Sequence, residues 1–104
     1  MSDASTTARP YARAVFELAR EDGSLDAWSA ALASLAAVGE VAEVRALIAR
    51  PGIPRETLAG IVADAARIEG ARERNLVRLL AENGRLSVLA SLAEQYEAVK
   101  RDFE

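Results

Sequence analysis

Apolar residues recur along this chain at helical intervals, and small breaks divide them into six runs. The breaks fall at Gly23, Gly39, the Pro51–Gly52 pair, Gly70 and Gly84, residue types at which helices readily stop. The first run covers about Thr6 to Asp22. The second covers Leu25 to Val38, where Leu25, Trp28, Leu32 and Leu35 step by three and four, the repeat of one helix face. The third, Val41 to Ala49, turns Val44, Leu47 and Ile48 to one side. The fourth runs from Pro54 to about Ile68 with Leu58, Ile61, Val62 and Ala65 as its stripe. The fifth runs from Ala71 to Asn83, and the sixth starts near Leu86 and carries Leu89, Leu92, Ala93, Tyr96, Val99 and Phe103.

The ends carry their own signals. Thr6 or Thr7 is the expected N-cap of the first helix, which places Pro10 in a first turn that has no use for its missing N–H. Ser24 is the expected cap of the second helix, and Pro54 suits the first turn of the fourth. Asn83–Gly84 predicts a left-handed C-terminal cap. Loops this short predict that consecutive helices pack roughly antiparallel. The expectation is an all-α fold, a compact six-helix bundle.

Composition strengthens this picture. Apolar residues make up 51% of 104, enough for a real core, and 23 Ala and 12 Leu outweigh 8 Val and 4 Ile. Alanine and leucine favour helix, and the β-branched types that favour strands are scarce. The net charge is −3, from 13 basic and 16 acidic residues spread along the chain. No basic stripe marks a nucleic-acid partner. The start at Met1–Ser2–Asp3 lacks the layout of a signal peptide. The longest uncharged run, Ala27 to Gly39, holds thirteen residues, whereas a membrane span needs about 20. A soluble, cytoplasmic domain without direct membrane insertion is expected.

Candidate chemistry is sparse. There is no Cys and no His, and Lys100 is the only lysine. Thiolate and imidazole chemistry and the usual zinc ligands are thereby removed. The acid pairs Glu17/Glu21 and Asp22/Asp26 could do acid–base work if burial raised one pKa, but they read as solvated helix faces. The glycines are isolated and form no phosphate loop. No catalytic residue, cofactor site or metal site is expected. Trp28 could anchor a partner; its place on the apolar stripe points to core packing.

The first helix carries more apolar surface than a small bundle needs. With Ala8 at the origin and 100° per residue, Ala14, Leu18, Tyr11, Val15, Ala8, Ala19, Ala12 and Phe16 fill an arc of about 200°. A surface helix needs a little over 100° or so to meet its core. Either the helix is central and contacted on two sides by its own domain, or the edge Tyr11–Ala14–Leu18 lines an external groove. The wheel leaves both readings open. In the fifth helix Asn75, Leu79 and Glu82 form an edge that suits the rim of a groove for an amphipathic helix, and equally an ordinary bundle boundary.

Two segments add a resemblance. Thr7-Ala8-Arg9-Pro10-Tyr11-Ala12-Arg13-Ala14-Val15-Phe16 resembles the opening of the delta subunit family of bacterial F-type ATP synthase, whose mitochondrial counterpart is the oligomycin-sensitivity-conferring protein. Asn75-Leu76-Val77-Arg78-Leu79-Leu80-Ala81-Glu82-Asn83-Gly84-Arg85-Leu86 is similar to that family's Asn-Leu…Glu-Asn-Gly-Arg-Leu stretch. The resemblance covers all 104 residues. It implies a single N-terminal helical domain over 1–104, with the family's C-terminal domain absent and the chain a fragment.

That family's N-terminal domain sits on the catalytic head at the cytoplasmic face of the bacterial inner membrane. It grips the amphipathic N-terminal helix of an alpha subunit between its first and fifth helices. The C-terminal domain holds the b-subunit stalk, and the two make a non-catalytic stator. Carried over by position, the partner-binding residues are Tyr11, Ala14, Val15 and Leu18 from the first helix. Asn75, Leu76, Leu79 and Glu82 come from the fifth, and Arg85 follows it. A competing reading is a generic cytoplasmic helical adaptor or regulator that dimerises through the same surface.

Overall fold

The structure, a computed structural model, describes residues 4–104. The Met1–Ser2–Asp3 start lies outside the described residues. Six α-helices follow in order: α1 (Ala4–Asp22), α2 (Leu25–Gly39), α3 (Ala42–Ala49), α4 (Arg55–Ala65), α5 (Ala71–Glu82) and α6 (Leu89–Phe103). A single 3-10 turn, Leu86–Val88, precedes α6 where the sequence predicts its first turn. There is no strand among the described residues.

Three of the helix ends share one device. At Gly23, Arg67 and Gly84 the backbone turns left-handed, with φ of 70°, 59° and 68°. The next residue's N–H reaches back to the carbonyl five residues earlier: Ser24 to Ala19, Ile68 to Ala63, Arg85 to Leu80. This is the Schellman cap, which satisfies carbonyls the helix leaves orphaned. Asn83–Gly84 ends α5 as its dipeptide predicts. Arg67 does the same work without glycine's freedom, so α4 ends earlier than the expected Ile68. The turn carries Ile68 back into the core, where it is 5% exposed.

The N-terminal signals fare differently. α1 already runs from Ala4 among the described residues, so Thr6 and Thr7 lie within the helix and not at an N-cap position. Pro10 is consequently an interior residue. Support for the turns before it comes from α6, where Gln95 Nε2 donates to the Ser5 carbonyl at 2.6 Å. Ser24 occupies the N-cap position of α2, but its hydroxyl makes no capping bond.

The core is built where the stripes predict. Trp28, Leu32 and Leu35 from α2 are 2% exposed or less, as are Leu80, Leu89, Leu92 and Tyr96. Trp28 is therefore a core residue. Ile61 and Ala65, assigned to the inner stripe of α4, are exposed instead; Ala59, Ala63 and Ala66 take the inner face beside Leu58 and Val62. Small residues let α4 sit close, so the stripe turned toward alanine.

α6 packs chiefly on α1 and α2. Gln95 meets Ser5 and Phe103 meets Phe16 edge-on at 5.5 Å, so α6 runs parallel to α1. The Tyr96 hydroxyl donates to the Leu25 carbonyl at 2.7 Å at the start of α2, while Gly39 at its end lies against Leu89 at the start of α6, so α6 runs antiparallel to α2. α5 packs mainly on α4. Arginines stitch that hairpin: Arg74 joins Asp64 (2.5 Å) and the Ile68 carbonyl (2.7 Å), and Arg55 donates to the Glu82 carbonyl. The short axis of the molecule is 20 Å, about two helix diameters.

Candidate partner-binding groove between α1 and α5

The apolar arc of α1 divides in the structure. Ala8, Ala12, Val15, Phe16 and Ala19 are buried, all within 6% exposure. They occupy about 100° of the wheel, what a surface helix needs. Tyr11 and Leu18 are only half-buried and Ala14 is exposed. The domain contacts α1 chiefly through α6, α2 and the 3-10 turn, which leave Ala14 exposed and Tyr11 and Leu18 half-covered.

α5 stands on the other side of that edge. Its buried face is Leu76, Val77, Leu80 and Ala81. Leu79 is 44% exposed, unusually open for a leucine between core positions. α1 and α5 take their main contacts from different neighbours, α6 for one and α4 for the other, and share the 3-10 turn. Between them runs a seam, crossed by polar side chains at both ends. Asn83 Nδ2 donates to the Tyr11 hydroxyl at 3.0 Å. At the opposite end the Arg72 guanidinium donates to the Asp22 carboxylate.

These bridges fix the register. α1 presents Tyr11, Val15, Leu18 and Asp22, and α5 presents Arg72, Leu76, Leu79 and Asn83; both stripes step four, three, four. The helices run antiparallel, so the two stripes face each other with polar pairs outside and apolar residues inside. Eleven residues at 1.5 Å per residue make the strip about 16 Å long. Ala14 lies beside it, small and exposed, and leaves room for another backbone to approach.

The expected site residues sort by depth. Tyr11, Leu18 and Leu79 line the strip. Val15 and Leu76, at 4% and 9% exposure, form its floor and face their own core, so they support the surface and present little of it. Asn75 is exposed and its Oδ1 accepts from Arg78 at 3.1 Å, which directs it along α5. Glu82 and Arg85 are exposed at the Tyr11 end. The acid pairs sit on exposed surface facing cations: Glu17 pairs with Arg20, Asp22 with Arg72 and Asp26 with Lys100.

Comparison with known proteins gives this geometry a context. The family model described as "ATP synthase delta (OSCP) subunit" matches residues 7–104. The chain belongs to the ATP synthase delta (OSCP) family. Over its whole length it is 41% identical to ATP synthase subunit delta of Alkalilimnicola ehrlichii and 45% identical to that of Nitrosomonas eutropha. The same subunit of Laribacter hongkongensis is 45% identical over 97% of the chain. The chain spans about 59% of the first two relatives' length and 57% of the third's.

Within this delta-family domain, the sequence singles out neither Asp22 nor Arg72 for the seam between α1 and α5, and Asn83 stands in it as part of a cap and of the family-like stretch. A signal for them exists. Asp22 lies four residues beyond Leu18, and Arg72 and Asn83 lie four residues outside Leu76 and Leu79, each one helical turn on along the same face. Only the facing of α1 and α5 shows that these ends meet. No helix among the described residues is long and apolar enough to cross a membrane.

Proposed function

We propose that this delta-family domain is a docking module of the ATP synthase stator. It holds the amphipathic N-terminal helix of an alpha subunit in the groove between α1 and α5, at the cytoplasmic face of the membrane. The observation that carries the reading is the partly exposed apolar strip, Tyr11, Leu18 and Leu79 around Ala14, on a chain of this family. A joint of this kind must hold and need not react. It joins the catalytic head to the stalk, which the subunit's further residues would grip. Burial of apolar surface at about 25 cal/mol per Å2 supplies the affinity. Rim charges such as Arg78, Glu82 and Arg85 set the orientation of the incoming helix, each contributing about 0–1 kcal/mol.

Calorimetric titration with a peptide of the alpha-subunit N-terminal helix tests this. Ala14→Glu blocks the close approach, and Leu79→Glu places a charge on the strip. Each is expected to lower affinity at least about 30-fold, since burying an unpaired charge costs at least about 2 kcal/mol. Helicity should be unchanged, because both positions are exposed. Undiminished affinity in both variants would overturn the groove, and a stable dimer blind to the peptide would favour the adaptor reading.

A further inference from the structure

We infer that the Asp22–Arg72 ion pair is a clasp that holds the N-terminal end of α5 against α1 and so sets the groove's width before a helix enters it. This rests on the groove reading above and adds a positioning pair that touches the groove without forming its apolar strip.

The two ends of the seam are built differently. At the Tyr11 end both α1 and α5 pack on the 3-10 turn, whose Leu86 and Val88 are buried. The core therefore fixes their separation there. At the Asp22 end Ala66 and Ile68 seat the α4–α5 loop in the core, and α5 itself meets α1 through the Arg72–Asp22 pair. α5 starts at Ala71, directly after a loop that faces Ala30, Ala31 and Ser34 of α2 across a cleft. Arg74 ties this end to α4, through Asp64 and the Ile68 carbonyl, and not to α1. The α4–α5 hairpin is thus seated at the 3-10 turn and through Ile68, and Arg72 reaching Asp22 adds a direct tie from the first turn of α5 to α1.

Both side chains stay within reach of water, with 54% of Arg72 and 38% of Asp22 exposed. The clasp is consequently weak and open to screening by salt. Holding the groove at its occupied width removes an ordering cost that binding would otherwise meet. An exposed pair is worth up to about fivefold in affinity on this account.

Charge-swap titrations test the clasp on the same 104-residue chain, with the alpha-subunit N-terminal peptide as probe. Asp22→Asn and Arg72→Gln are each expected to weaken binding by about two- to fivefold, and the double reversal Asp22→Arg with Arg72→Asp to restore it. Added salt should weaken the parent and the reversal by more than either single variant. Thermal unfolding should barely move, which separates a clasp from a general loss of fold. Single variants that bind as the parent does overturn the clasp. So do single losses that the reversal leaves unrepaired, because the residues would then act by contacts of their own. If Leu79→Glu also binds normally, the groove itself has failed; if Leu79→Glu abolishes binding while the single variants bind normally, only the clasp has.

Discussion

Lys100 shows what one residue contributes once its neighbours are in place. Its ammonium reaches from α6 to α2, donating to Asp26 at 2.7 Å and to the Ser29 hydroxyl at 3.0 Å. Its side chain is 13% exposed and that of Asp26 93%. The hydrogen bond from Lys100, and its charge, hold the Asp26 carboxyl below its ordinary value; the same bond raises Lys100. A lowered carboxylate stabilises the fold above its unfolded value, about 3.9, and the contribution is lost as pH falls through the folded value. A raised lysine stabilises below about 10.4 and is lost as pH rises through its folded value. Burial also raises Tyr96, which adds to the alkaline loss. Asp26→Asn should therefore lower the melting temperature slightly at pH 7. The gap should close as pH falls through the lowered folded value of Asp26, where the parent's carboxyl is protonated too. A gap that stays constant throughout the acid range would show that the charge is not the cause.

At the scale of the element, the three Schellman caps allow a matched comparison. Gly84 and Arg67 hold nearly the same backbone conformation, but only the arginine bears the steric cost of a Cβ there, about 1–2 kcal/mol. Gly84→Ala should cost about 1 kcal/mol by introducing that cost, since the new methyl meets only Arg55 atoms at 3.8 Å or beyond. Arg67→Gly removes it, against the greater freedom of glycine in the unfolded chain. It should leave stability unchanged or raise it by up to about 1 kcal/mol. Chemical denaturation of both variants checks this, and a loss above about 0.5 kcal/mol in Arg67→Gly would contradict it. The element ends written in glycine were legible in the sequence for this reason. The α4 end was not, because nothing in Arg67-Ile68 announces a left-handed turn; the pull of Ile68 into the core produces it. Pro10 misplaced the start of α1 similarly, since local rules put proline in a first turn while contact with α6 carries the helix past it.

Over the whole molecule, a single core joins every helix, and Trp28 lies inside it at 2% exposure. Tryptophan emission should shift to the red in the same denaturant transition that removes helicity. Two separated transitions would mean that the α4–α5 hairpin and the α1–α2–α6 layer unfold independently. That division also leaves the seam between α1 and α5. α1 is committed to α6 and α2, α5 to α4, and neither covers the other's outer edge.

The sequence by itself determined the six helices, the alanine-rich core, the place of Trp28 and the family, because each depends on spacing or composition along one chain. It also showed an excess of apolar surface on the first helix, without showing where that surface goes. Tertiary structure decided this: Val15 and Phe16 turn inward, while Tyr11, Ala14 and Leu18 stay at a seam. It also decided that α6 runs parallel to α1, which no short-loop rule could reveal, and that Asp22 meets Arg72. Periodicity orders residues around one axis, whereas contact between residues fifty apart depends on how the axes pack.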